Sequence, residues 1–326
     1  MSGFALINAL PAEISEVVID PNLCIVLSHI LESVRMIGVS LRNVNFSTER
    51  VGSTNLFGDS QLDVDVKTDE IVFANLRKSG LVHVASSEEQ PTEIYCGGNG
   101  YSVAFDPLDG SSIVDANFTV GSIFGVWLGS GFKGRTGSEQ SSSLIALYGP
   151  RVSIALALNS SSNHKNQKLC AELTMMPDNW VVTRKILSIR TNGKTFAPGN
   201  LRATFDNPDY RALVSYWIDS RFTLRYTGGL VPDVYHILIK GEGVLSNASS
   251  PGAKAKLRLL YECAPIALVI EAAGGRSCVC SSEAAEEVQP VSILDVVISD
   301  LDKRIGVCYG SADEVQRFIA FMFRPK

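Results

Sequence analysis

Six short runs rich in β-branched and aromatic residues crowd the stretch from Leu81 to Ile186, and they constrain the fold most. They are Leu81–Ala85, Tyr101–Phe105, Thr119–Leu128, Arg151–Leu158, Lys168–Met175 and Trp180–Ile186. Runs of this length and composition predict strands. Upstream, Asn22–Asn43 carries apolar residues at near-helical spacing, including Leu23, Leu27, Ile30 and Val34. Thr68 precedes Asp69–Ser79, which has acids first and bases last and stops at Gly80. That pattern predicts a capped amphipathic helix. The polar stretch Gly129–Ser143 reads as an exposed hairpin loop.

Composition shifts across Arg190–Asn200, which predicts a junction between a domain of residues 1–195 and one of residues 196–326. Beyond it, helices are predicted at Pro208–Ser220, Lys254–Ala273 and Ala312–Met322. Strand-like pieces lie at Gly243–Ser246, Ser292–Ser299 and Arg304–Cys308. The fold class is therefore α/β, with layered sheets and helices.

At 326 residues the chain can bury a large core without staples. A net charge of -5 argues against a nucleic-acid partner. No window holds ~18 uninterrupted apolar residues, so no membrane span is predicted. The N-terminus has no basic region before its apolar residues. A cytoplasmic location is expected, or a plastid one if a transit peptide has been removed. The 7 cysteines are scattered and form no Cys-x-x-Cys, which argues against zinc and for reduced thiols. Gly129-Ser-Gly-Phe-Lys-Gly134 has the spacing of a dinucleotide loop, but polar residues follow it instead of an apolar helix.

The chemistry concentrates in Ala104-Phe-Asp-Pro-Leu-Asp-Gly-Ser-Ser-Ile-Val-Asp115. A β-run leads into Asp106 and Asp109, and Pro107 is expected to end the ladder between them. Gly110-Ser111-Ser112 then offers free backbone amides and hydroxyls. Hard carboxylate oxygens beside free amides suit a divalent cation next to a phosphate. Glu88 and Glu89 follow another β-run, and Asp59, Asp63 and Asp65 lie near a helix start. Asp63 reads as a solvated loop acid. Three acidic clusters, each beside an apolar run, favour magnesium chemistry on a phosphate.

Phe105-Asp-Pro-Leu-Asp-Gly-Ser-Ser112 resembles the signature of the fructose-1,6-bisphosphatase superfamily of magnesium-dependent sugar phosphatases. Gly58-Asp59, Asp65, Ser87-Glu-Glu89, Arg225-Tyr-Thr-Gly-Gly229 and Lys256-Leu-Arg-Leu-Leu-Tyr-Glu-Cys263 extend the resemblance over most of the chain. Ile113 after the serine pair and Tyr226-Thr-Gly-Gly-Leu-Val-Pro-Asp-Val234 are similar to its sedoheptulose-1,7-bisphosphatase branch. The resemblance implies a layered α-β-α-β-α sandwich that hydrolyses the 1-phosphate of a sugar bisphosphate. The implied substrate is sedoheptulose 1,7-bisphosphate, with fructose 1,6-bisphosphate as the rival. An inactive phosphosugar-binding protein on the same fold is the other alternative.

The resemblance also implies roles. Asp59, Glu88, Glu89, Asp106, Asp109 and Glu262, with the Leu108 carbonyl, would bind two or three Mg²⁺, Mn²⁺ being the alternative. Asp59 and Asp65 would lie on a mobile loop. Asp65 or Glu89 would take the proton of the attacking water. Gly110, Ser111 and Ser112 would hold the scissile phosphate. Asn207, Tyr210, Tyr226 and Lys256 would hold the distal phosphate, with Gly228 and Gly229 against the sugar. Arg225 would reach across from a neighbouring copy, so a homo-oligomer, dimer or tetramer, is expected. Arg258, two residues from Lys256, is expected to point elsewhere on a helix. The AMP-site pattern of the superfamily is missing, as is the regulatory cysteine pair of chloroplast relatives. Asn247 stands where fructose bisphosphatases place a Tyr against the sugar, which is consistent with a longer heptulose.

Overall fold

The computed structural model describes residues 10–42, 50–54, 60–280 and 290–323. In chain order the elements open with α1 (Ala12–Ser15), α2 (Pro21–Arg42), β1 (Arg50–Thr54), β2 (Ser60–Leu62) and α3 (Asp63–Lys78). Then come β3 (Val82–Ser87), β4 (Ile94–Tyr95), β5 (Tyr101–Asp109), β6 (Val120–Leu128), β7 (Gln140–Tyr148), β8 (Val152–Leu158), β9 (Leu169–Met175) and β10 (Trp180–Arg184). The rest is β11 (Thr195–Gly199), α4 (Pro208–Asp219), β12 (Thr223–Leu224), α5 (Leu230–Lys240), β13 (Val244–Asn247), α6 (Ala264–Ala272), β14 (Arg276–Val279), β15 (Val307–Gly310) and α7 (Ala312–Met322).

Two sheets organise these elements. The first has 8 strands in the order β10-β9-β8-β7-β6-β5-β3-β4, and the second has 5 in the order β12-β11-β13-β15-β14. In the first only β3 and β5 run parallel; in the second β11 runs parallel to both β12 and β13. One core of apolar side chains joins α2 and α3 to one face of the larger sheet. Residues of α5 and α6 fill the space between the two sheets. Those of α4 and α7 cover the far face of the smaller sheet. The layers thus alternate α-β-α-β-α, because each amphipathic helix must bury its apolar stripe on a sheet. By length and composition α2 could cross a membrane. Here Leu27, Ile30, Leu31 and Val34 are fully buried against the sheet.

Several local expectations change. Residues 140–143, expected in an exposed loop, are the buried first half of β7. Serines can be buried there because their hydroxyls find carbonyls: Ser142 donates to Ala157 at 2.7 Å, and Ser143 to Pro265 at 2.8 Å. Thr68 does not cap a helix. Helix α3 starts at Asp63, and the Thr68 hydroxyl donates back to the Val64 carbonyl at 2.9 Å. Residues 292–299 form no strand, but the single turn Ile293–Asp295 and an isolated bridge from Val297 to Thr136. The expected helix Lys254–Ala273 is extended up to Arg258, makes a π-turn over Leu259–Cys263, and becomes α6 only at Ala264. Pro107 does not end its strand. β5 runs on to Asp109 through a bulge, with Asp106 opposite Ile123 and Asp109 opposite Gly121.

Candidate metal centre and sugar-phosphate cleft

Strands β3 and β5 lie parallel and in register, with Ser87 opposite Phe105. Each therefore delivers its next residue to the same edge: Glu88 from one, Asp106 from the other. The Glu88 amide donates to the Phe105 carbonyl at 3.0 Å and fixes this juxtaposition. Glu262 comes from the π-turn, which is tied to β3 by a 2.8 Å hydrogen bond between the Tyr261 and Ser86 hydroxyls. One oxygen from each of Glu88, Asp106 and Glu262 lies within 4.8 Å of the others. Asp106 is 4% exposed and Glu262 6%.

Carboxylates this close repel one another. Burial, then Glu88, Asp109 and Glu262, raise the Asp106 pKa well above its ordinary value. Burial, then Glu88, do the same to Glu262. Asp109 is pushed up to about 7, chiefly by burial. It accepts from the amides of Leu230 and Val231 at 3.2 and 2.7 Å, which work in the opposite sense and seat the start of α5 on it. Negative charge outweighs positive in the cluster, and its donors are all hard oxygens. These residues fit a divalent cation such as Mg²⁺.

One counter-charge is present, and it corrects an expectation. Arg258 does not turn away on a helix: its backbone is extended (φ -89, ψ 130) and its side chain is buried, 4% exposed. Its guanidinium pairs with Glu88 and, at 2.8 Å, with Asp302. Its amide donates to Glu262 at 2.5 Å. Burial works against this charge, yet Glu88, Asp302 and Glu262 hold its pKa above the ordinary value. The sequence signal was an arginine four residues before an acid, in a stretch with no helix cap.

The remaining expected site residues divide. Glu89 is half-buried and is not one of the three converging acids. Asp65 is 5% exposed and sits in the first turn of α3, not on a loop. Asp59 lies outside the described residues, and the side chain of Asp63 is not described. Leu108 is buried at the bulge. Gly110 adopts a left-handed conformation (φ 85) that suits glycine, and it introduces the single turn Ser111–Ile113. Tyr226, Gly228 and Gly229 line a cleft of about 100 Å³ together with Asp109 and Asn247. Lys256 is exposed next to Leu257, which lines the same cleft. The buried Oδ1 of Asn247 has no hydrogen-bond partner among the described residues.

Two residues expected at the distal phosphate are engaged elsewhere. Tyr210 is fully buried, and its hydroxyl donates to the Gly199 carbonyl at 2.8 Å. Asn207 caps α4 by accepting from the Tyr210 amide at 2.9 Å, and its Nδ2 donates to Ser249. Arg225 lines a larger groove beside the cleft, with its guanidinium on the Leu224 carbonyl at 2.8 Å. Asp233 was missed by sequence reasoning. It is 4% exposed and accepts from the Thr227 amide at 2.8 Å, so it shapes the loop that bears Tyr226 and Gly228.

Two family profiles cover most of this chain. That of the fructose-1-6-bisphosphatase N-terminal domain matches residues 12–167, and that of its C-terminal domain matches residues 189–323. The chain belongs to the fructose-1,6-bisphosphatase family. Within that family it is 45% identical over 305 residues to the chloroplastic sedoheptulose-1,7-bisphosphatase of Chlamydomonas reinhardtii, covering 93% of this chain and 74% of that protein. It is 33% identical to the class 1 fructose-1,6-bisphosphatase of Pelobacter propionicus, covering 94% of this chain and 90% of that one. Among solved structures, a Toxoplasma gondii protein assigned as a sedoheptulose-1,7-bisphosphatase superposes with a TM-score of 0.84 at 37% identity, covering 96% of this chain and 98% of that one. The holo Leishmania major fructose-1,6-bisphosphatase also reaches 0.84, at 26% identity, covering 97% of this chain and 100% of that one.

Proposed function

We propose that this chain hydrolyses the 1-phosphate of sedoheptulose 1,7-bisphosphate, releasing sedoheptulose 7-phosphate and phosphate. As a member of its family it is a phosphoric monoester hydrolase of sugar bisphosphates. The observation that carries the reading is the convergence of Glu88, Asp106 and Glu262, with Asp109 between them and the cleft.

Glu88, Asp106, Asp109 and Glu262 would hold Mg²⁺ or Mn²⁺, which when bound activates a water and offsets charge on the phosphate and the leaving oxygen. The chain's own groups do the rest. Gly110, Ser111 and Ser112 present backbone amides to the scissile phosphate. Glu89 and Asp65 are the candidates to accept the water's proton. Tyr226 and Lys256 hold the distal phosphate, and Gly228 and Gly229 lie against the sugar. The unpartnered Asn247 oxygen suits a sugar hydroxyl. Arg225 faces a neighbouring groove, which supports the reading that it serves a second copy in a homo-oligomer. The chloroplastic location of the plant and algal relatives favours a plastid over the cytoplasm.

Fructose 1,6-bisphosphate is the second reading, favoured by the 33% identity to bacterial fructose bisphosphatases. Comparing kcat/KM for the two sugars decides between them. The expected result is a higher value for the heptulose. A higher value for the hexose reverses the assignment.

A further inference from the structure

With Tyr210 and Asn207 engaged elsewhere, Tyr226 and Lys256 are left at the distal phosphate, and there is room for a further donor. The same segment holds a free one. Arg202 lies in the turn Leu201–Phe205, directly after β11. That turn is fixed at both ends. Asn200 donates from Nδ2 to the Ala248 and Ala253 carbonyls at 2.8 and 2.9 Å. Arg211 donates to the Thr204 and Phe205 carbonyls at 2.7 and 2.8 Å. The nearby acid Asp206 is engaged by the Gly252 amide at 2.7 Å. Arg202 itself is exposed and, among the described residues, makes no hydrogen bond or ion pair. A guanidinium rooted on a fixed turn and unpaired at its tip is suited to receive an anion.

The turn also opens beside the cleft. Gly199, which precedes it, and Asn247, opposite Gly199 in β13, both line the cleft. Tyr226 links the two ends of the site. Burial is the main reason its pKa is raised; Asp233 and Asp109 add to the rise, and Arg202 opposes it. The phenol therefore senses a metal-site acid and the Arg202 cation together.

We propose that Arg202 binds the distal phosphate of a sugar bisphosphate whose reacting phosphate lies by Asp109 and Ser111, and that it acts within its own subunit. This rests on the proposed bisphosphatase activity. It adds a residue that selects doubly phosphorylated sugars.

The test uses full-length Arg202→Ala and Arg202→Lys. Four quantities are measured: KM and kcat for sedoheptulose 1,7-bisphosphate, the inhibition constant of sedoheptulose 7-phosphate, and oligomeric state by sedimentation. For the alanine variant, KM and the inhibition constant should both rise about tenfold or more, with kcat within about threefold. The lysine variant should recover part of the loss, and sedimentation should not change. Unchanged KM and inhibition overturn the proposal. So does a fall in kcat alone, or a loss that follows a changed oligomeric state. Wild-type protein that releases no phosphate from any sugar bisphosphate would instead remove the bisphosphatase reading beneath it.

Discussion

At the scale of single residues, the centre is a balance between three crowded acids and one buried arginine. Neutralising one acid should separate stability from activity. Asp106→Asn removes a buried charge that burial and Glu88 disfavour. The metal-free variant should therefore melt higher than wild type, while metal-dependent phosphate release falls by about a thousandfold or more. Calorimetry alongside a phosphate assay checks both. Arg258→Met acts in the other direction. It takes away the partner of Glu88 and leaves Asp302 to Arg304, and breaking a buried pair costs ~3–5 kcal/mol. Its denaturation midpoint should drop accordingly; an unchanged midpoint would mean the pair contributes little. Asp106 and Asp109 were legible in the sequence because carboxylates beside apolar runs need a reason to be there, whereas Glu262 was reached only through the family resemblance. Arg258 was not legible. Its direction depends on an extended backbone and a π-turn, and periodicity reads both as helix.

At the scale of elements, the contact of β6 with α5 sets the site. Gly121 stands opposite Asp109 in the sheet. A Cβ on it would lie 2.4 Å from the Val231 Cβ. Gly121→Ala should thus push α5 off β6 and stretch the hydrogen bonds from Leu230 and Val231 to Asp109. A loss of ~1–3 kcal/mol is expected by urea denaturation. Phosphate release should fall further than that loss explains, because the acid moves with the helix. Activity that tracks only the folded fraction would contradict this role. Most of the strands were visible as β-branched runs. The first half of β7 was not, because buried serines look solvated until their carbonyl partners are known. Likewise Pro107 looked like a stop, and a bulge absorbed it.

At the scale of the molecule, the layers were predictable because amphipathic helices and apolar strands leave few ways to cover one another. The cost of the acidic centre is a whole-molecule property. Asp109 has its pKa raised to about 7, and those of Asp106 and Glu262 are raised as well. A raised carboxylate pKa means stability that is present at low pH and lost as pH rises through the folded value. Metal-free protein should therefore lose Tm between about pH 6 and 8. Mg²⁺ should restore it more at pH 8 than at pH 6, because only the ionised acids bind it. A Tm that rises over this range without metal would mean these acids are not held uncompensated. Activity at saturating Mg²⁺ should rise from neutral to mildly alkaline pH.

The central claim is that Glu88, Asp106 and Glu262 make one cation site for phosphate release. Its most direct test is a Mg²⁺ titration of phosphate release from sedoheptulose 1,7-bisphosphate, with wild type and Glu262→Gln side by side. The account predicts no release by chelated wild type, saturable release as Mg²⁺ is added, and a strong loss or a shift to much higher Mg²⁺ in the variant. Wild-type release that ignores chelation, or a variant with an unchanged Mg²⁺ curve, would contradict it.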